Sequence, residues 1–72
     1  SMKYKDYHQK YIMESTHGVY PIGEWGFIGG RDSLKEAIAI AKTWIIKGDC
    51  WRVVDREGNI LFPESKEVED AI

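Results

Sequence analysis

The stretch SLKEAIAIAKTWI at residues 33–45, followed by WRVVDREGNILF at residues 51–62, decides the fold class of this chain. The first part has the pattern of a capped amphipathic helix, and the second has the pattern of a tight β-hairpin. Two β-prone runs precede the helix. The sequence therefore predicts an α+β domain in the order ββαββ, an antiparallel sheet of about four strands with the helix packed on one face.

The helix is predicted over residues 34–47 from its two ends and its apolar stripe. Ser33 is a favourable N-cap, and Glu36 follows it at the spacing of a capping box. Lys47 and Gly48 supply the cation and the left-handed residue that commonly end a helix. We expect six residues to form the core between helix and sheet: Leu34, Ala41, Trp44, Ile45, Val53 and Leu61.

The hairpin turn is predicted at residues 55–58. Asp55 suits the first position of a type I turn, and Gly58 suits the left-handed position of a glycine bulge, so that Asp55 opposes Asn59. Counting outward from that pair places two pairs on each face of the hairpin. One face would hold Val53–Leu61 and Trp51–Pro63, and the other would hold Val54–Ile60 and Arg52–Phe62.

Both faces of this hairpin are therefore largely apolar, whereas a sheet with water on one side alternates apolar and polar residues. One helix covers only one face. The second face is closed either by residues 64–72 folding back or by a second molecule, as a homodimer or a partner protein. The predicted partner interface comprises Trp25, Arg52, Val54, Ile60 and Phe62.

The rest of the chain gives weaker signals. Residues 9–15 and 19–28 are predicted as strands, the second ending at Gly29. Residues 1–8 either form a frayed arm or extend the first strand. Residues 64–72 form either an acidic tail or a short helix.

Length and composition limit the function classes. The 72 residues suit a single domain, and one cysteine excludes an intrachain disulfide, as expected in a reducing cytoplasm. The net charge of −2 argues against general affinity for nucleic acid or anionic membranes. No signal peptide or membrane-spanning run is recognisable.

No pattern of chemistry-bearing residues predicts a catalytic, metal or cofactor site. The possible soft metal ligands, His8, His17 and Cys50, match no zinc spacing. The carboxylates of Glu14, Glu24 and Asp55 have no pairing that suggests acid–base catalysis. We therefore expect no enzyme activity and no cofactor.

Two binding alternatives remain open. Basic and aromatic residues alternate near the N-terminus, as in stacking platforms for single-stranded nucleic acid: Lys3, Tyr4, Lys5, Tyr7, Lys10 and Tyr11. A nucleotide or another anion could instead bind between subunits near Trp25, Arg31 and Arg52.

The segments Ser-Leu-Lys-Glu-Ala-Ile at residues 33–38 and Trp-Arg-Val-Val-Asp at residues 51–55 resemble small ββαββ modules of bacteria and their phages. Some anti-CRISPR proteins are similar in size and plan. The resemblance implies a phage or bacterial inhibitor or adaptor and carries over no functional residue. Together with the apolar hairpin, it predicts a non-enzymatic protein-interaction module.

Overall fold

The computed structural model describes residues 3–16 and 25–63. Its elements are β1 (Tyr11–Ser15), β2 (Gly26–Arg31), α1 (Leu34–Ile46), β3 (Trp51–Asp55) and β4 (Ile60–Phe62). The strands form a four-stranded antiparallel sheet in the order β2-β1-β3-β4, and α1 packs on one face. The predicted α+β class and ββαββ order are confirmed. Within the described ranges, no helix is both long and apolar enough to cross a membrane.

Strand β2 does not end at Gly29 as predicted. Gly29 pairs with Met13 and Gly30 with Ile12, so the strand continues through both glycines. The pairing shifts after Phe27, and Ile28 is the extra residue of a β-bulge. The earlier part of the predicted strand, residues 19–24, lies outside the described residues.

Local capping signals place α1 within one residue of its predicted end. The Ser33 Oγ accepts the Glu36 N–H at 3.2 Å, as an N-cap does. At the other end Gly48 has φ +102° and donates to the Ile45 carbonyl at 2.9 Å. The Asp49 N–H donates to the Trp44 carbonyl at 3.1 Å, which completes a Schellman motif.

The turn between β3 and β4 also follows the prediction. The Gly58 N–H donates to the Asp55 carbonyl at 3.0 Å, and Gly58 has φ +94°. The Asp55 N–H donates to the Asn59 carbonyl at 3.0 Å, so these residues oppose each other. Burial raises the pKa of the Asp55 carboxyl, but hydrogen bonds from Asn59 and the turn N–H groups outweigh this and lower it.

The predicted register is correct only as far as Val54–Ile60. Val53 then pairs with Phe62, and Leu61 is the extra residue of a second bulge. The predicted pairs Val53–Leu61 and Arg52–Phe62 are therefore wrong. Because one inserted residue moves the following side chain to the other face of the sheet, Phe62 packs on the helix side.

The core lies between α1 and the sheet and is centred on two alanines. Ala37 and Ala41 are fully buried, and because both are small the helix can lie close to the sheet. Trp44 and Ile45 lie on the two shoulders of this stripe and are 40% and 38% exposed, so their predicted burial is wrong. The predictions for Ala41 and Val53 are confirmed, Leu34 is half-buried against the core, and Leu61 is half-buried in its bulge.

Candidate interaction surface

The sheet face opposite α1 consists of two cross-strand rows. The register aligns Gly30, Ile12, Val54 and Ile60 in one row, from β2 across to β4. The neighbouring row contains Phe27, Glu14 and Arg52. This is the face for which the sequence predicted a missing cover.

Residues 3–10, which we call the strap, supply that cover. The Tyr4 N–H donates to the Arg56 carbonyl at 2.8 Å, and Arg56 Nη1 donates to the Tyr7 carbonyl at 3.2 Å. The Tyr7 ring lies against Gly30, where an added Cβ would be 2.5 Å from Tyr7 Cε2. Val54 beneath the strap is 1% exposed. Residues 3–8 thus pack on the sheet outside strand β1, which begins at Tyr11.

Aromatic contacts hold the strap against β2. The Phe27 ring centroid lies 5.9 Å from that of Tyr4 and 5.3 Å from that of Tyr7. The Tyr7–Phe27 pair is edge-to-face, an arrangement favoured by the ring quadrupoles. The strap thus packs on the sheet through its rings as well as through backbone hydrogen bonds.

Glu14 anchors the strap from below with a fully buried carboxylate. Lys3 Nζ lies 2.6 Å from Oε2, and Arg52 Nε lies 2.8 Å from Oε1. The Tyr4 hydroxyl donates to the same Oε2. The Arg52 guanidinium also stacks 4.4 Å from the ring centroid of Trp25. The carboxylate therefore joins the strap, β1 and β3.

This network shifts two pKa values in opposite directions. Burial raises the pKa of the Glu14 carboxyl, but hydrogen bonds from Lys3, Tyr4 and Arg52 outweigh burial and lower it below its ordinary value. Burial and the neighbouring carboxylate raise the pKa of the Tyr4 hydroxyl. Glu14 is therefore ionised and Tyr4 protonated at neutral pH, which is the pairing that the hydrogen bond requires.

The five predicted partner-interface residues do not form one exposed surface. Val54 is buried under the strap, Arg52 is held between Glu14 and Trp25, and Phe62 lies on the opposite face. Ile60 is 47% exposed. Coverage by residues 64–72 was the predicted intramolecular alternative, and those residues lie outside the described ranges.

The six residues of the predicted nucleic-acid platform do not form one surface, although four of them line one shallow open cleft: Lys3, Tyr4, Lys5 and Tyr7. Lys3 and Tyr4 bind Glu14, and the Tyr7 hydroxyl lies 3.2 Å from Gln9 Oε1. Tyr11 packs against the core on the helix side. Lys5 and Lys10 are exposed. The tyrosine rings do not line one open strip on which bases could stack.

The predicted anion site is divided by the sheet. Arg31 is paired with Tyr11 in the sheet, and its Nε lies 3.0 Å from the Glu36 carboxylate on the helix side. Arg52 lies with Glu14 and Trp25 on the other face. The two guanidinium groups therefore lie on opposite faces of the sheet of one chain.

The described residues contain no group of three His, Cys, Asp or Glu side chains placed to hold a metal ion. Cys50 and His8 are both exposed, and His17 is outside the described residues. A shallow cleft of about 520 Å³ is open to solvent and has side chains of both charges, including Lys10, Arg56, Asp55 and Glu57.

The end of α1 presents a different apolar surface, which we call the helix-end surface: Trp44, Ile45 and Ile46. These residues are 40%, 38% and 85% exposed. Trp44 stacks on Trp51 with the rings almost parallel and their centroids 5.7 Å apart. This surface was not predicted, because the 3.6-residue periodicity assigned Trp44 and Ile45 to the core. Ile46 lies outside that stripe, and this apolar residue on the outer side of the helix was the signal for an exposed apolar surface.

Lysines border the helix-end surface. Lys47 Nζ lies 4.8 Å from the Trp44 ring centroid, and Lys42 Nζ lies 5.7 Å from that of Phe62.

No family model matches the chain, and comparisons with curated proteins and with solved structures returned no match.

Proposed function

We propose that this protein is a non-enzymatic protein-interaction module that binds a partner through the helix-end surface. The observation that carries the proposal is the exposure of three consecutive large apolar side chains, with Ile46 at 85%. Burying a side chain of this size against a partner contributes roughly 1.5–3 kcal/mol. Large apolar side chains exposed within a single helical turn favour a binding surface.

The capping of α1 supports this reading, because its geometry does not need apolar residues at the helix end. The Schellman hydrogen bonds use backbone groups of Trp44, Ile45, Gly48 and Asp49, and polar side chains would allow the same bonds. Trp44 is also held in place by its stack on Trp51. A pre-ordered aromatic anchor loses little conformational entropy on binding.

The strap also supports the proposed binding site, because it covers much of the other apolar surface, the sheet face opposite α1. Under the strap Ile12 is 0% and Val54 1% exposed, whereas Ile60 at the β4 end of the same row is 47% exposed. The helix-end surface is therefore the more accessible of the two apolar regions. Action as an inhibitor or adaptor of bacterial or phage origin, as the resemblance implies, would place the partner protein there.

Ile46→Asp, compared with Ala39→Asp, tests the proposal. Both positions are exposed on α1, so both variants should retain the wild-type melting temperature within about 4 °C. The tagged full chain would be incubated with extract of the source cell and crosslinked, and captured proteins would be identified by mass spectrometry. We expect a partner that wild type and Ala39→Asp capture and Ile46→Asp loses. Equal capture by all three proteins would contradict the proposal.

Analytical ultracentrifugation of the same proteins tests the homodimer alternative. A wild-type dimer that Ile46→Asp converts to monomer would identify a second copy as the occupant of the helix-end surface. A dimer that Ile46→Asp leaves intact would place self-association elsewhere.

A further inference from the structure

We infer that the partner segment that binds the helix-end surface is acidic as well as apolar. This inference rests on the proposed function and specifies the chemistry of the occupant. It is carried by the charges that border the surface and by the state of the backbone acceptors at the end of α1.

The charge at this end of the helix is positive. Lys42 and Lys47 are exposed, and the sequence from residue 40 to residue 48 contains no acidic side chain. The acidic residue of the helix, Glu36, is in the first turn and pairs with Arg31 at 3.0 Å. Beyond the helix, the Asp49 carboxylate accepts the Trp51 indole N–H at 3.4 Å.

Lys47 contacts a member of the surface, and Lys42 is placed near it by helical spacing while its ammonium group lies over the Phe62 ring. Lys42 is three and four residues before Ile45 and Ile46, the spacing of neighbours on one side of a helix. Lys47 lies three residues after Trp44 and over its ring. An ammonium group has three donors, and its contact with a ring leaves donors for a carboxylate. If an apolar side chain of the partner segment binds the helix-end surface, acidic residues on both sides of that side chain would each lie near one of the two lysines.

The backbone at this end offers fewer free acceptors to a basic partner than an uncapped helix end would. An uncapped helix C-terminus has free carbonyl groups and attracts cations. Here the Trp44 carbonyl accepts N–H groups from Lys47 and Asp49, and the Ile45 carbonyl accepts that of Gly48. Capping therefore removes part of the attraction for a basic segment and leaves the lysines as the dominant charges.

The same charges disfavour a second copy as the occupant. A two-fold contact places the same patch on both sides of the interface. Lys42 and Lys47 of one chain would then face the same two lysines of the other. Like charges brought together at an interface oppose association, whereas an acidic segment would be attracted.

The test is selection from a random peptide library displayed on phage, using the immobilised full chain, with Ile46→Asp as counter-selection. We expect peptides that depend on Ile46 and are enriched in Asp or Glu around a large apolar residue. Ile46-dependent peptides without acidic enrichment would overturn this inference and leave the proposed function standing. If no peptide depends on Ile46, the proposed function falls as well.

Charge reversal tests the lysines on a selected acidic peptide labelled for fluorescence anisotropy. Lys42→Glu and Lys47→Glu should each weaken binding about two- to fivefold, and binding should weaken as salt is raised. Lys35→Glu, the same change in the first turn of α1, is the matched control and should have little effect. Equal effects at all three positions would contradict the inference.

Sedimentation with vesicles of phosphatidylserine and phosphatidylcholine tests whether the helix-end surface binds an anionic membrane instead. A basic residue near an anionic membrane contributes about 1 kcal/mol, so two lysines give only weak binding. We expect the full chain to remain unbound after sedimentation with these vesicles. Ile46-dependent cosedimentation would overturn the inference in favour of a membrane surface.

Discussion

Glu14 is the residue that best explains how the second face of the sheet is closed. Its carboxylate is fully buried and receives hydrogen bonds from the strap and from Arg52. A buried charge is tolerated only when it is paired and hydrogen-bonded. Removing the charge leaves its cationic partners uncompensated, which generally costs more than the pair contributes.

Glu14→Gln should therefore lower the free energy of unfolding by about 2–4 kcal/mol, measured by urea denaturation. Glu36→Gln is the matched control, because Glu36 forms an exposed ion pair with Arg31. The control should change the free energy of unfolding by about 1 kcal/mol or less. Equal effects of the two substitutions would show that the Glu14 network does not hold the strap.

The pH dependence of the same variants has a defined sign. The pKa of Glu14 is lower in the folded protein than its ordinary value, so the unfolded chain binds a proton more readily. The ionised Glu14 carboxylate therefore contributes fully to the free energy of unfolding above its ordinary pKa. This contribution is lost as the pH falls through the pKa that Glu14 has in the folded protein. We expect the stability difference between wild type and Glu14→Gln to shrink below about pH 4.3. A difference that grows on acidification would contradict the assignment.

Gly30 makes a second prediction at the residue scale. A Cβ at Gly30 would lie 2.5 Å from Tyr7 Cε2 and 3.1 Å from the Tyr11 carbonyl oxygen, whereas one at Gly29 would lie 3.6 Å from Met13 Cε. Gly30→Ala should therefore lower the unfolding free energy by about 1–3 kcal/mol. Gly29→Ala, measured in the same urea titration, should cost less. The reverse order would contradict the docking of Tyr7.

At the scale of the element, the packing of helix α1 is stable only if the helix can approach the sheet closely. Ala41 is fully buried in that contact, and Ala39 is exposed on the same helix. Ala41→Glu should unfold the domain, a loss of about 4 kcal/mol or more, because it places an unpaired charge in the core. Ala39→Glu should retain the native circular dichroism spectrum and melting temperature. Cooperative unfolding of Ala41→Glu at the wild-type temperature would contradict the packing.

The elements also show which parts of the fold were predictable. The N-cap at Ser33, the helix stop at Gly48 and the turn at Gly58 depend on residues close in sequence, and all three were predicted correctly. The bulges at Ile28 and Leu61 depend on pairing between strands, which no local pattern specifies. The slip at Leu61 alone moved Phe62 from the predicted interface to the helix side.

At the scale of the whole molecule, the chain covers both faces of its own sheet in the part that the structure describes. The helix covers one face, and the strap covers the other from the N-terminal side. Of the apolar side chains predicted for the second face in β3 and β4, Val54 and Ile60 lie there, whereas Phe62 does not. The strap was not among the predicted covers, because Tyr4 reaches Arg56 across 52 positions of sequence.

One signal in the sequence did point to the strap. The two-residue alternation of β1 places Glu14 on the same face as Ile12, where a carboxylate needs donors. Lys3 and Tyr4 are such donors, yet their spacing gave no indication that they fold back. The helix-end surface was less predictable, because periodicity does not distinguish the centre of an apolar stripe from its shoulders.

The most direct test of the account is a nuclear Overhauser measurement on the isotope-labelled full chain in solution. We expect cross-peaks between the Tyr7 ring protons and the α-protons of Gly30, and between the rings of Tyr4 and Phe27. Ring currents of Tyr7 should also move the Gly30 α-protons away from their random-coil shifts. Random-coil shifts for residues 3–10, with no cross-peaks to β2, would contradict it.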